Sequence, residues 1–252
     1  MQLWEVGVIM SSKLLWVVFL TLLILPCATG LPFEGHAKSE LYSSRDSLNI
    51  IEAVEDNDLK RLAAVINAGA DINERGFRGV SILYWFVLTD NIKGYEVLLR
   101  LSADPNHCSD SGSCLLHVLA LENKSNYIRL AVKYGADVDL QMSGFGRTPL
   151  MNSVAAFGKE DSAFQTLLKA GADPYTKHSM HGTTVFSSAV LFERFDLVIF
   201  LVELGFVDLP REARVALTYA VKKKSRAHLP APLDKQFVKM KEMLELKRMI
   251  DR

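Results

Sequence analysis

One five-residue landmark recurs along this chain of 252 residues. Gly69–Asn73 reads GADIN, Ser102–Asn106 reads SADPN, Gly135–Asp139 reads GADVD and Gly171–Tyr175 reads GADPY, at offsets of 33, 33 and 36 residues. A worn copy, Gly205–Asp208, follows 34 residues later. A fixed period in this range is the signature of stacked repeats, and no other feature narrows the fold as much. Each landmark follows an apolar helical stretch, such as LKRLAAVINAG or FDLVIFLVELG, and precedes GRTPLMNSVA (Gly146–Ala155) or an eroded form of it. Glycine at the helix end takes the left-handed position after the last turn at no steric cost. Aspartate then opens a polar loop, and Thr-Pro starts the next helix with proline near its first position. One such unit cannot bury its apolar stripe alone, so neighbours must stack into a continuous core.

The period, the Gly-Ala-Asp landmark and Thr148-Pro149-Leu150 together resemble the ankyrin repeat. The resemblance covers residues 46–209. It implies an all-α repeat solenoid of about five helix-turn-helix repeats with β-finger loops. LNIIEAVEDNDLKRLAAVINAGADIN reads as an N-terminal capping repeat. Extra residues near Phe157–Ser162 lengthen the turn between the helices of the GRTPL unit. Beyond Asp208 the pattern decays. Pro210–Lys224 reads as a helix with no finger before it, RAHLPAP breaks the chain, and Leu233–Arg252 reads as a long charged helix. Residues 210–252 are therefore expected to form a C-terminal helical cap. The repeat domain with its cap would occupy 46–252, and 31–45 would be a linker.

The amino terminus reads differently. Lys13 precedes an uncharged, predominantly apolar run, Leu14–Leu25, with Thr21 its one polar residue, followed by Pro26 and small residues. Those 12 residues are too short for a helix to span a bilayer core of about 30 Å. They match the apolar region of a signal peptide over 1–30, with cleavage after Ala28-Thr29-Gly30. Lipidation at Cys27 competes, although Pro26 departs from the small residue that a lipobox carries before its cysteine. An uncleaved anchor is the other alternative. The expected location is the periplasm, with a lipid-anchored or secreted protein as alternatives.

The chain is 49% hydrophobic and 23% charged, which excludes wholesale disorder, and its zero net charge gives no reason to expect nucleic acid. The charge is nonetheless divided. Residues 31–209 carry 16 Lys and Arg against 23 Asp and Glu, whereas 210–252 carry 12 against 5. The body is acidic by 7 charges and the tail is basic by 7.

No nucleophile elbow, metalloprotease helix or phosphate-cradling loop occurs, so no catalytic residue, cofactor or small-molecule substrate is expected. His107, Cys108, Cys114 and His117 could supply two nitrogens and two sulfurs to zinc. His117 stands, however, at the histidine of the Thr-Pro-Leu-His landmark, which the resemblance assigns to internal hydrogen bonding. A disulfide between Cys108 and Cys114 across one finger is an alternative in an oxidising compartment, and two free thiols are another. Asn123-Lys124-Ser125 matches a glycosylation acceptor.

Aligned on the resemblance, first-helix residues Trp85, Leu88, Leu121, Glu122 and Asn152 are expected to face the concave groove, with Val118, Ser187 and Val190. Phe77, Arg78, Phe145, Arg147, Met180 and His181, with Met142, are expected at finger tips. Aromatics and arginine dominate binding hot spots, which makes these residues the candidate contact surface for another protein. Exported ankyrin proteins resemble periplasmic immunity partners of type VI secretion toxins, among them lipases. The resemblance thus implies inhibition of a toxin by occlusion. The alternatives are a scaffold or maturation factor for an exported enzyme, and a secreted host-directed effector.

Overall fold

The computed structural model describes residues 37–144, 146–156, 162–178, 182–226 and 229–247. The expectations for the signal peptide, Cys27, Phe145, Met180, His181 and most of the inter-helix insertion lie outside them. The described residues form an all-α solenoid of thirteen α-helices, with isolated β-bridges and no longer strand. The helices run α1 (Lys38–Leu41), α2 (Arg45–Glu55), α3 (Leu59–Asn67), α4 (Ile82–Leu88), α5 (Ile92–Arg100), α6 (Leu115–Leu121) and α7 (Ser125–Lys133). They continue as α8 (Pro149–Ser153), α9 (Ser162–Lys169), α10 (Val185–Leu191), α11 (Phe195–Glu203), α12 (Arg211–Lys224) and α13 (Ala231–Leu246). First helices stack on first helices, α6 on α8 and α10 on α12, while second helices stack on second, α5 on α7 and α11 on α13.

Local chemistry sets these boundaries. Asp58 and Asn91 accept from the backbone N–H three residues on, capping α3 and α5. Thr148 caps α8 with Pro149 at its first position. Between the two helices of a unit the turn closes on a left-handed residue: Asn57, Asp90, Asn123 and Glu193 have φ of 53°, 51°, 56° and 62°. Asn and Asp tolerate that region, and glutamate less so. Glu193 is held there by an ion pair with Lys224 of the cap at 2.7 Å.

The landmark has a physical role beyond ending a helix. Asp71, Asp104, Asp137 and Asp173 each accept from the N–H two residues on, at 2.8–2.9 Å. That second residue then accepts from the aspartate N–H of the next unit: Asn73 from Asp104, Asn106 from Asp137 and Asp139 from Asp173, at 2.7, 2.7 and 3.0 Å. A ladder therefore runs from unit to unit along the finger bases. At the last rung Tyr175 replaces the short polar residue. Its ring stacks on Phe186 and meets Phe206 edge-on.

One continuous core runs from Leu41 to Leu244. Phe86, Tyr95, Leu98, Phe164, Phe186 and Phe195 are fully buried in it, each contributing about 1.5–3 kcal/mol by leaving water. The core corrects the expected linker. Residues 38–45 are part of the fold, since Leu41 and Tyr42 are buried and the Tyr42 hydroxyl donates to the Ser81 carbonyl at 2.8 Å. Among the described residues, this segment covers the face of the first unit that would otherwise meet water. Gly76 makes the approach possible, because a Cβ there would lie 2.5 Å from the Leu41 carbonyl oxygen. The second cap helix also starts at Ala231, two residues before its expected Leu233.

Candidate functional site

The first finger is a short antiparallel bridge, Arg75 to Ser81, tipped by a 3-10 turn at Phe77–Gly79. Phe77 is 55% exposed. Arg78 sits in the left-handed region at φ 54°, and its guanidinium lies 5.4 Å from the centre of the Phe77 ring. An aromatic ring and an arginine are thus presented to solvent as one stacked unit.

The second finger holds the first in place. Asp110 N–H donates to the Arg78 carbonyl at 3.0 Å, and the Asp110 carboxylate pairs with Arg75 at 2.5 Å. His107 Nε2 donates to the Gly79 carbonyl at 2.7 Å. At Gly79, where φ is 71°, a Cβ would fall 2.3 Å from Asp110 Oδ1, so a larger residue there would push the Arg75–Asp110 pair aside. The second finger is itself closed: Cys108 and Cys114 face each other across an antiparallel bridge and are joined by a disulfide. The third finger packs alongside, where Gly112 lies against Ser143.

Other expected contact residues are turned inward. Trp85 does not stand free in the groove: its Nε1 donates to Glu55 at 2.8 Å and its ring meets Tyr42 edge-on at 6.5 Å. It is half-buried against the core, sealing the first unit to the second. Arg147 donates through Nε to Asn152 Oδ1 at 2.8 Å and through Nη2 to the Met151 carbonyl, so its charge serves its own unit. Asn152 is buried, and so are Met142, Val118, Ser187 and Val190. Leu88, Leu121 and Glu122 stay half-buried. Of the expected contact residues that are described, Phe77 and Arg78 are exposed, Trp85, Leu88, Leu121, Glu122 and Arg147 are half-buried, and Asn152 is buried.

His107 and His117 each have their Nε2 committed to a backbone carbonyl, Gly79 and Arg147 respectively. Among the described residues no three His, Cys, Asp or Glu side chains converge as metal ligands. Burial pushes the His117 imidazole down to about 4, so it is neutral in the fold. The Asn123 side chain accepts from Ala163 N–H at 2.8 Å, which ties it to the next unit. Sequence reasoning missed Arg75 and Asp110 as the link between fingers. No local signal marks a pair 35 residues apart.

A helical pair per unit, finger bridges at the repeat period and a hydrogen-bonded ladder define a repeat solenoid. The family model for ankyrin repeats matches residues 50–178 in three copies, and the chain belongs to that family. It is 30% identical over 163 residues to Protein PhlB of Serratia liquefaciens, covering 65% of this chain and 66% of that protein. It is 29% identical over 139 residues to a putative ankyrin repeat protein of Rickettsia felis, covering 54% of this chain and 45% of that one. The chain thus spans less than two thirds of each relative's length.

Proposed function

We propose that this protein is an exported binding module whose first two fingers grip another protein, and that it acts as a periplasmic immunity protein, occluding a secreted toxin such as a type VI lipase effector. The observation that carries the reading is the Phe77–Arg78 pair, exposed at a tip that the second finger braces through three separate polar contacts. Rigid presentation lowers the entropy lost on binding, and aromatic–arginine anchors are the side chains that concentrate binding energy. The acidic body would speed encounter with a basic partner more than it would tighten the complex. Export is supported by the Leu14–Leu25 run and by a disulfide that suits an oxidising compartment.

The test is affinity capture from a periplasmic extract with the wild-type chain and with Phe77→Ala/Arg78→Ala in parallel, followed by titration of the captured protein. The double variant should weaken binding by about 2 kcal/mol or more. Its thermal midpoint should barely move, because Phe77 is exposed. A partner that binds both forms equally places the contact elsewhere, and one whose activity is unaffected on binding rejects inhibition in favour of a scaffold. Export is checked separately by the mass of the mature chain, which should begin near Leu31.

A further inference from the structure

We propose that the Cys108–Cys114 disulfide is a redox switch for the Phe77–Arg78 tip, which is held in one geometry when the second finger is closed and slackens when it is open. The proposal rests on the reading of that tip as the binding surface and concerns how the surface is controlled. The short segment between the two cysteines makes the ties that fix both neighbouring fingers. Asp110 donates its N–H to the Arg78 carbonyl at 3.0 Å and takes Arg75 on its carboxylate at 2.5 Å. On the other side Gly112, at φ 79°, lies so close to Ser143 of the third finger that a Cβ has no room. The first finger supplies few bonds of its own. Its base is the single bridge from Arg75 to Ser81, and its turn closes through Gly79 N–H on the Gly76 carbonyl at 2.9 Å. Arg78 at the apex sits at φ 54°, a conformation that a non-glycine residue keeps only while its surroundings over-determine it.

The two cysteines are anchored differently, and this makes the bond a lever. Cys114 is the N-cap residue of α6 and is 1% exposed, carried into the core with Leu115 and Leu116. Cys108 is half-buried, on the outer limb of the finger. The disulfide therefore clamps that limb to the start of a core-anchored helix. Without it the limb keeps Ser109 N–H on the Ser113 carbonyl and Leu115 N–H on the His107 carbonyl, at 2.9 and 3.0 Å. Each such bond replaces one to water and stabilises little, whereas an open limb regains conformational freedom. Because both Asp110 ties leave from this limb, its displacement withdraws them together. His107 lies before the loop and keeps its bond to Gly79, so the first finger slackens at its apex and stays attached at its base.

Closure balances as exchange with an oxidant that itself carries a disulfide. The Cys108 thiolate attacks it, forming a mixed disulfide and releasing one thiol of the oxidant. The Cys114 thiolate then displaces the second. Two cysteine thiols become one disulfide, the oxidant's disulfide becomes two thiols, and the two protons pass to the released sulfurs. A dithiol reverses the sequence. A chain with reduced cysteines thus carries a slack tip, and one that has met such an oxidant carries a set one.

Hydrogen exchange of the full chain, oxidised and after reduction with a phosphine, reads the switch directly. Amides of residues 75–81 should exchange about 10-fold to about 30-fold faster once reduced, the upper figure being what closing so short a loop permits. Those of α12 should not change, since contacts in a repeat array are between neighbours. Cys108→Ala/Cys114→Ala should exchange at the reduced rate with or without the phosphine. Asp110→Ala keeps the disulfide, and it should speed exchange at 75–81 in the oxidised chain and shrink the effect of reduction. Equal protection of 75–81 in both states overturns the proposal, as does loosening confined to 107–114. A matching rise in α12 overturns it too, because it marks unfolding of the whole array. None of these measurements uses a partner. Unchanged exchange therefore removes the switch and leaves the binding reading standing, whereas capture unaffected by Phe77→Ala/Arg78→Ala removes the binding reading and leaves the exchange result in place.

Discussion

The two ends of the solenoid solve the same problem with different materials. At the N-terminal end, successive units are tied at their fingers: Arg75 to Asp110, Arg78 to Asp110, His107 to Gly79, and Cys108 to Cys114 within the second finger. At the C-terminal end, after Asp208, the fold drops the finger and lengthens its helices to 14 and 16 residues. There Leu217, Phe237, Met240 and Leu244 are buried instead, and Phe195 meets Phe237 edge-on at 5.1 Å. Polar links fix geometry at small net stabilisation, because each hydrogen bond replaces one to water. Apolar burial stabilises more and constrains less. The end with the polar ties is the one that presents a defined aromatic–arginine tip, and the end with the longer helices is a cap.

The largest effect should come from breaking the apolar side of this contrast at both places. Leu98→Ala, in the fully buried centre of α5, should cost about 2–5 kcal/mol, and Phe237→Ala in the cap about 3–5 kcal/mol. Hydrogen exchange distinguishes the two, since contacts in a repeat array are between neighbours. Phe237→Ala should expose amides of α11 to α13 first and leave the finger ties protected. Uniform exchange along the whole chain would mean that the ends are not independent.

Next comes acid. His117 is neutral and buried, with its folded value at about 4 against 6.5 in the unfolded chain. Below pH 6.5 the unfolded chain takes up a proton that the fold refuses, so this stabilisation is present above pH 6.5 and is lost as pH falls toward 4. The loss is on the order of 3 kcal/mol. Urea titrations across that range should show it, and His117→Gln should flatten it. An equally steep limb in the variant assigns the acid sensitivity to other groups.

The covalent tie ranks below that. Cys108→Ser/Cys114→Ser opens a loop with a sequence separation of 6, which should lower stability by about 2 kcal/mol. Its effect should concentrate in the first two fingers and loosen Phe77 and Arg78, with the cap unaffected. A thermal scan with and without reductant gives the same comparison in the wild-type chain.

The smallest change should be a gain. Asp139 stands on the ladder where Asn73 and Asn106 stand on earlier rungs. Burial raises its carboxyl above the usual range, with the neighbouring Asp173 and Asp137 charges adding to the effect and the Asp173 N–H opposing it. A raised carboxylate favours folding only while protonated, so its charge weakens the fold at neutral pH. Asp139→Asn keeps the acceptor and removes the charge. It should raise the thermal midpoint slightly at pH 7, and the advantage should vanish as pH falls below the carboxylate range. A loss at pH 7 would show that the ladder needs the ionised acceptor.

Much of this molecule was legible before any coordinates. The period, the helix pairs and the cap follow from apolar stripes and from glycine, aspartate and proline at their turns, because those preferences are local and repeat. The ladder was also written in the second residue after each aspartate, although its role needs the next unit to be visible. Exposure was the part that alignment misread. Trp85, Arg147, Asn152 and Met142 hold positions that face outward in a generic repeat, yet each is turned onto a neighbour by a partner that sequence spacing does not announce, such as Glu55, Met151 or His117. The segment before the first unit looked like a linker because it lacks the period, but an unpaired apolar face recruits whatever chain can cover it. The sequence by itself determined which elements form and in what order they stack. Only the tertiary structure decided which side chains remain free to bind, because burial is a property of the neighbour as much as of the residue.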